Sequence, residues 1–153
     1  MHIINNRNKK REAKMQIVTI FIKNKKDEYL IQKRSKAKGG KYGITSGHTL
    51  EGESAKKGAI REIKEEIGID IVSQELKLIY KTNIDENLYN LYYLEKDIEL
   101  KNLKLQKEEV ENVYWYTIDE INKIIQKQEF YLKQIEALKI FEKYIKEEEK
   151  WQQ

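Results

Sequence analysis

A short stretch of the sequence reads GHTLEGESAKKGAIREIKEEIGI and contains one arginine and five glutamates. Four of these glutamates are arranged around Arg61: Glu53, Glu62, Glu65 and Glu66. In a helix that begins near Ser54, the last three of the four stand in an i, i+3, i+4 relation and emerge from one face. Their like charges repel each other, and a hard divalent cation with oxygen ligands offsets that repulsion. The cluster therefore predicts a magnesium site, and sites of this kind handle phosphates.

The same stretch has the pattern of an amphipathic helix that packs on a sheet. Ser54 is a favourable N-cap, and Gly68 is placed to end the helix in a left-handed turn. Arg61 lies one turn before Glu65 and can hold a carboxylate in a fixed orientation through a charge-assisted hydrogen bond. A separate apolar stripe can face a sheet, and it comprises Ala59, Ile60, Ile63 and Ile67. We therefore expect one buried side and one acidic side.

A longer pattern distinguishes this stretch from an ordinary acidic helix. The run KEE alone is also typical of a solvated helix face, because the chain is rich in Lys and Glu. The full stretch, however, resembles the Nudix hydrolase box, G-x5-E-x7-R-E-U-x-E-E-x-G-U, in which U is aliphatic. Every specified position matches: Gly47, Glu53, Arg61, Glu62, Ile63, Glu65, Glu66, Gly68 and Ile69. The resemblance implies an α/β fold, a Nudix-type α/β/α sandwich with a mixed β-sheet between helices.

The resemblance also implies a reaction and roles for these residues. The reaction is hydrolysis of a diphosphate linkage by water, with Mg2+, or alternatively Mn2+, as the cofactor. Glu62, Glu65 and Glu66 would bind the metal, while Glu53 and the backbone carbonyl of Gly47 would be further ligands or supporting groups. Arg61 would orient the carboxylates, and Glu65 is the first choice as general base. An acidic residue from a later loop, Glu108 or Glu109, is the alternative base.

Three residues outside the acidic cluster are candidates for binding a substrate phosphate. Arg34 is preferred because arginine is scarce in this chain and can bind phosphate bidentately. Lys41 is the second candidate, and an ordinary surface lysine is the alternative reading. His48 directly follows Gly47, and a structural hydrogen bond is its alternative role. The expected partner is a small-molecule diphosphate, such as a nucleoside diphosphate derivative or a related organic diphosphate.

Composition excludes several classes of site. The 153 residues include no cysteine, so disulfides, thiolate metal sites and a cysteine nucleophile are absent. Two histidines are too few for a histidine zinc cluster. The longest apolar stretch, residues 17–22, is far too short to span a bilayer, and residues 1–14 lack the apolar core of a signal peptide. We therefore expect a cytoplasmic protein that does not bind a membrane.

Charge and length indicate one domain after a basic N-terminal segment. Residues 1–14 carry the whole formal net charge of +4, and basic and acidic residues balance in the remainder. Binding to nucleic acid is therefore not expected, because the domain has no excess positive field. Residues 15–153 are predicted to form a single domain that includes a C-terminal amphipathic helix. The apolar stripe of that helix fits either packing on the sheet or a homodimer contact.

Hydrophobic periodicity predicts a mixed α/β order. Strands are expected at residues 16–23, 29–34, 43–48, 75–83, 87–94 and 112–116. Thr117 and Glu120 form a capping box that begins a helix, and a final helix is expected from about residue 130 to 149. Segments around the box (residues 30–35, 40–48 and 108–121) also resemble bacterial Nudix members similar to isopentenyl-diphosphate isomerase.

Three functions follow from the resemblance. The first is the metal-dependent pyrophosphohydrolase described above. The second is an isomerase of isopentenyl diphosphate, which is disfavoured because that family's mechanism relies on a cysteine and this chain has none. The third is a nucleotide- or RNA-binding module without catalysis, which is disfavoured because such proteins usually lose glutamates of the box.

Overall fold

The computed structural model describes residues 16–152, so the basic segment at residues 1–14 lies outside the described residues. The strands are β1 (Gln16–Lys23), β2 (Tyr29–Arg34), β3 (Tyr42–Gly43), β4 (Thr45–His48), β5 (Lys77–Ile84), β6 (Asn87–Glu95) and β7 (Val110–Tyr116). The α-helices are α1 (Ala55–Ile67), α2 (Ile118–Gln126) and α3 (Ile135–Gln152). No helix in this part of the chain has the length and apolar character that a membrane crossing needs.

The strands form one mixed sheet of seven strands. Its central path is β3-β2-β1-β6-β5, with β4 also paired to β1 and β7 paired to β2. β1 and β6 are parallel, whereas the other pairs are antiparallel. The predicted mixed sheet is therefore confirmed.

Both faces of the sheet are buried because β1 is apolar on both sides. Val18 and Ile20 pack on one face with the stripe of α1, in which Ala59, Ile63 and Ile67 are inaccessible to solvent. Ile17 and Phe21 pack on the other face with α2 and α3, and Phe21 stacks on Phe141 at a ring distance of 4.0 Å. These two layers of helices complete the predicted α/β/α sandwich.

The C-terminal helix begins five residues later than the sequence pattern predicts. Phe130 bridges to Tyr42, and residues 132–134 form a 3₁₀ turn, so α3 starts at Ile135. The cause is Gln134, whose side chain donates to the carbonyl of Ile44 (3.0 Å) and accepts from its N–H (2.7 Å). The same contact takes Ile44 out of the ladder and divides the strand predicted at 43–48 into β3 and β4.

Other boundaries of the elements differ by a few residues. β5 begins at Lys77 instead of residue 75, because a 3₁₀ turn occupies Ser73–Glu75. β7 begins two residues earlier than predicted, since Val110 pairs with Arg34 after a bulge in which Glu111 of β7 is the extra residue. β1 and β2 have the predicted bounds, and the capping box formed by Thr117 and Glu120 is present.

Gly68 ends α1 in a conformation that a larger residue tolerates poorly. Its φ of 78° is left-handed, and its N–H donates to the carbonyls of Ile63 and Lys64. A Cβ at this position would lie 2.7 Å from the carbonyl oxygen of Lys104. Gly52 offers a matched comparison, because its φ is 75° and a Cβ added there would have no atom within 4 Å.

We expect Gly68→Ala to lower the free energy of unfolding more than Gly52→Ala does. Strain from the left-handed backbone applies to both and costs about 1–2 kcal/mol. Overpacking against Lys104 applies to Gly68 alone and adds about 1–3 kcal/mol. Urea unfolding of the two variants checks this difference. Equal losses in the free energy of unfolding would contradict it, because they would show that Lys104 moves away from the added Cβ without an energetic cost.

Candidate active site

The acidic residues are positioned by the connection from β4 to α1. α1 begins after Ser54, whose hydroxyl accepts from the N–H of Lys57 at 3.2 Å. The N-cap and the left-handed C-cap predicted for this helix are therefore both present. Within the connecting turn, Glu53 accepts from the N–H of Leu50 at 3.0 Å, which ties its carboxylate to the backbone.

The end of β4 touches α1 at a glycine. A Cβ at Gly47 would overlap the carboxylate of Glu62, so a larger residue here would force that carboxylate to move. Gly58 in α1 has a similar effect on the other side of the turn, because its Cβ would lie 3.0 Å from Glu53 and from Thr49. The absence of two side chains therefore allows the turn, the strand end and the helix to meet.

Arg61 lies at the centre of the acidic cluster and binds three of the four glutamates. Its Nε and Nη2 donate to the two oxygens of Glu53 at 2.9 and 3.0 Å, which is a bidentate pair. Its Nη1 donates to Glu62 and to Glu65, each at 3.0 Å, and Nη2 also donates to the carbonyl of His48 at 2.9 Å. These bonds hold the pKa of Glu53 below its usual range and that of Arg61 above it.

Glu66 is the exception, because it turns into the protein. It is only 6% exposed, and its Oε1 accepts a hydrogen bond from Nε2 of Gln32 at 2.9 Å. Burial raises the pKa of Glu66 to about 9, and the adjacent Glu62 contributes to the rise. A buried carboxylate beside a second carboxylate requires a proton or a cation to balance its charge.

The residues at this point fit a hard divalent cation. Glu62 and Glu66 lie side by side, both donors are oxygens, and the carbonyl-bearing backbone of Gly47 approaches Glu62 closely. Between residues 16 and 152, no group of three or more carboxylates or histidines already converges as a metal cage. Arg61 engages Glu53 and one oxygen of Glu65 in hydrogen bonds of its own.

A second charged cluster joins β2 to the loop before β7. Glu109 accepts from Arg34 at 3.2 Å and lies 3.4 Å from the ammonium of Lys38. Ser35 secures the two loops, since its hydroxyl donates to the carbonyl of Glu108 at 2.8 Å. The Nε of Arg34 is buried and has no hydrogen-bond partner among the described residues. The positive charge of Arg34 also acts on Glu66, which places this cluster beside the acidic one.

The remaining candidates are not brought into either cluster by their side chains. Lys41 is exposed and donates to the carbonyl of Gln128 at 3.1 Å. The imidazole of His48 is exposed, and this residue enters the network of Arg61 through its backbone carbonyl. Glu108 is likewise exposed and is held by its backbone.

Sequence reasoning missed Gln32, although a signal for it exists. Side chains at alternate positions of a strand share one face, so Leu30, Gln32 and Arg34 point the same way along β2. Because Arg34 is a candidate for binding phosphate, the polar residue two positions before it is a candidate as well. The long side chain of Gln32 reaches Glu66, which is 34 residues away in the chain.

Comparisons with known proteins identify the family of this chain. A family model described as the NUDIX domain matches residues 13–138. An uncharacterized Nudix hydrolase of Listeria monocytogenes is 34% identical over 118 residues, which cover 74% of this chain and 70% of that protein. An uncharacterized Nudix hydrolase of Clostridium acetobutylicum is 33% identical over 89 residues, or 53% of this chain and 43% of that protein.

Solved structures share the fold. A Deinococcus radiodurans protein superimposes with a TM-score of 0.67 at 18% identity and covers 76% of this chain and 75% of its own. A MutT protein of Methanosarcina mazei gives a TM-score of 0.62 at 24% identity and covers 89% of this chain and 97% of its own. The family model and the Listeria relative extend over most of this sequence. The chain therefore belongs to the Nudix family of hydrolases, which act on phosphoric anhydride bonds.

Proposed function

We propose that the chain is a magnesium-dependent pyrophosphohydrolase that cleaves a nucleoside diphosphate derivative or a related organic diphosphate. Water would attack phosphorus and break the anhydride bond. The observation that carries this proposal is the pair formed by buried Glu66 and half-buried Glu62, at the point where Gly47 meets α1. Two adjacent carboxylates repel each other when both are charged, and a divalent cation with oxygen ligands offsets that repulsion.

The metal ligands we propose are Glu62, Glu65 and Glu66, supported by Glu53 and the carbonyl of Gly47. A divalent cation bound there supplies positive charge to the phosphate oxygens and lowers the pKa of a bound water. Arg61 holds Glu53, Glu62 and Glu65 around one guanidinium, because it bonds all three. Mn2+ accepts the same oxygen ligands and is the alternative metal.

Glu65 is the general base that we favour. Its side chain is 47% exposed, against 14% for Glu62 and 15% for Glu53, so water reaches it most easily among the three glutamates that Arg61 binds. Arg61 bonds one of its oxygens and leaves the other available to accept a proton. Glu109 remains the alternative base, because Arg34 and Lys38 hold it beside the acidic cluster.

Arg34 is the group that we propose for binding a substrate phosphate. Its buried Nε has no partner among the described residues, so a phosphate oxygen would satisfy a donor that is otherwise left unpaired. Lys41 and His48 have weaker support, since the side chains of both are exposed.

A cytoplasmic location and a homodimer stay predictions.

A substrate screen tests the proposed reaction. We expect the protein to hydrolyse at least one member of a panel of nucleoside triphosphates, nucleotide sugars, dinucleoside polyphosphates and isoprenoid diphosphates. Turnover should require Mg2+ or Mn2+ and stop on addition of a chelator. Tight nucleotide or RNA binding without turnover would favour the binding module instead, and isomerised isoprenoid diphosphate would favour the isomerase.

Replacing Glu66 tests the metal site. We expect Glu66→Gln to lower kcat at least about 100-fold and to abolish the rise in Tm that Mn2+ gives the wild type, because a charged ligand is lost. Without metal, the variant should be as stable as the wild type or more stable, since a buried ionisable group is removed. Glu51→Gln is the matched control, as Glu51 is an exposed acid of the same turn. Unchanged metal binding by Glu66→Gln would contradict the assigned ligand.

The two candidate bases are separated by a pair of isosteric variants. We expect Glu65→Gln to lower kcat about 100- to 10,000-fold, the range for loss of a general base. Glu109→Gln should change KM more than kcat, because it releases Arg34 and Lys38 from their shared partner. Profiles of kcat against pH show in which variant the fall of kcat at low pH, caused by protonation of the base, is lost. The reverse pattern would assign the base to Glu109.

A further inference from the structure

A buried glutamine lies within the sheet, on the face covered by α1. Gln32 is inaccessible to solvent, and its backbone pairs with Gly43 on one side and Val113 on the other. Its buried neighbours on this face include the apolar Leu30 and Val113 as well as the polar Thr45 and Glu66. Burying an amide at such a position is unfavourable unless the amide has hydrogen-bond partners, so its contacts explain its presence.

Both protons of the Gln32 amide are used. Nε2 donates to Oε1 of Glu66 at 2.9 Å and to the hydroxyl of Thr45 at 3.0 Å. The first bond reaches α1, and the second reaches β4 two residues before Gly47. One side chain therefore spans the two elements whose close approach creates the acidic site.

The bond to Glu66 has a directional consequence. It ties Oε1 to the sheet and so limits the directions in which the carboxylate can face Glu62 or an ion bound beside it. Carboxylate ligands whose orientation is fixed by a hydrogen bond bind metals more tightly, because less freedom is lost on binding. Thr45 in turn limits the freedom of the amide.

We propose that Gln32 is a positioning residue for the metal site, anchored by Thr45 and acting through Glu66. This inference rests on the proposed function, since it assumes that Glu66 binds a divalent cation. Gln32 lies outside the Nudix box, and it is not among the site residues predicted from the sequence.

The acceptor side of Gln32 argues against a purely structural role. Its Oε1 is buried and has no hydrogen-bond partner among residues 16–152. A buried acceptor without a partner destabilises the folded state. An apolar side chain of similar size would remove that cost, so stability by itself does not explain a glutamine here. The hydrogen bond that its amide donates to Glu66 explains why a glutamine occupies this position.

The test compares metal affinity with stability in Gln32→Met. Methionine is unbranched and of similar size, but it donates no hydrogen bond. We expect the Kd for Mn2+, measured by electron paramagnetic resonance, to rise about tenfold or more. The urea midpoint in EDTA should stay the same or rise. A lower midpoint with an unchanged Kd would overturn the proposal, because that is the result of a merely structural role.

Thr45 provides a second, independent pair of variants. Thr45→Ser keeps the hydroxyl and should keep the wild-type Kd, whereas Thr45→Val should raise it. The double variant Gln32→Met with Thr45→Val should bind Mn2+ as Gln32→Met does, since Thr45 acts through the amide. Additive losses would overturn this coupling, and the Thr45 pair still tests the proposal if Gln32→Met fails to fold.

The wild-type protein separates the two levels of inference. If it binds no Mn2+ and hydrolyses nothing, the proposed function fails and this inference fails with it. If the wild type binds Mn2+ and Gln32→Met binds it equally well, the proposed function stands and the role of Gln32 is refuted.

Discussion

The acidic site depends on the close contact between the end of β4 and the side of α1. Gly47 lets the Glu62 carboxylate lie against the strand, since a side chain at this position would displace it. Gly58 permits the turn between them to lie against the helix. Packing of the apolar stripe of α1 on the sheet provides the driving force that holds the two elements together. Burial thus brings carboxylates close to one another that would otherwise repel.

The resulting negative charge is balanced in two different ways. Toward solvent, Arg61 offsets part of the charge of Glu53, Glu62 and Glu65 through charge-assisted hydrogen bonds to all three. Toward the interior, Glu66 is beyond these bonds, and burial raises its pKa to about 9. Arg61 therefore preserves the exposed half of the site, whereas the buried half is balanced by a proton or by a cation. A metal that displaces this proton links its own binding to the folding of α1.

Local chemistry made much of the fold and part of the site predictable. The bounds of β1 and β2 and the caps of α1 and α2 can be read from neighbouring positions, and the contact from Arg61 to Glu65 follows from their helical spacing. Contacts between distant parts of the chain could not be predicted in this way. Gln134 delays the start of α3 by bonding a strand 90 residues earlier, and the bond from Gln32 to Glu66 depends on how α1 packs on β2. Spacing therefore identifies which residues carry charge, while tertiary packing decides which oxygen of each carboxylate remains free.

Buried polar groups in this protein differ in whether all of their hydrogen-bonding atoms have partners. The amide of Gln134 is satisfied on both sides by Ile44, so it stabilises the fold in the ordinary way. Gln32 is satisfied only as a donor, and the Nε of Arg34 has no partner in the described chain. Both of these incomplete groups lie near Glu66. Because unsatisfied buried groups reduce stability, their concentration at one place indicates that this part of the sheet is organised for binding rather than for folding alone.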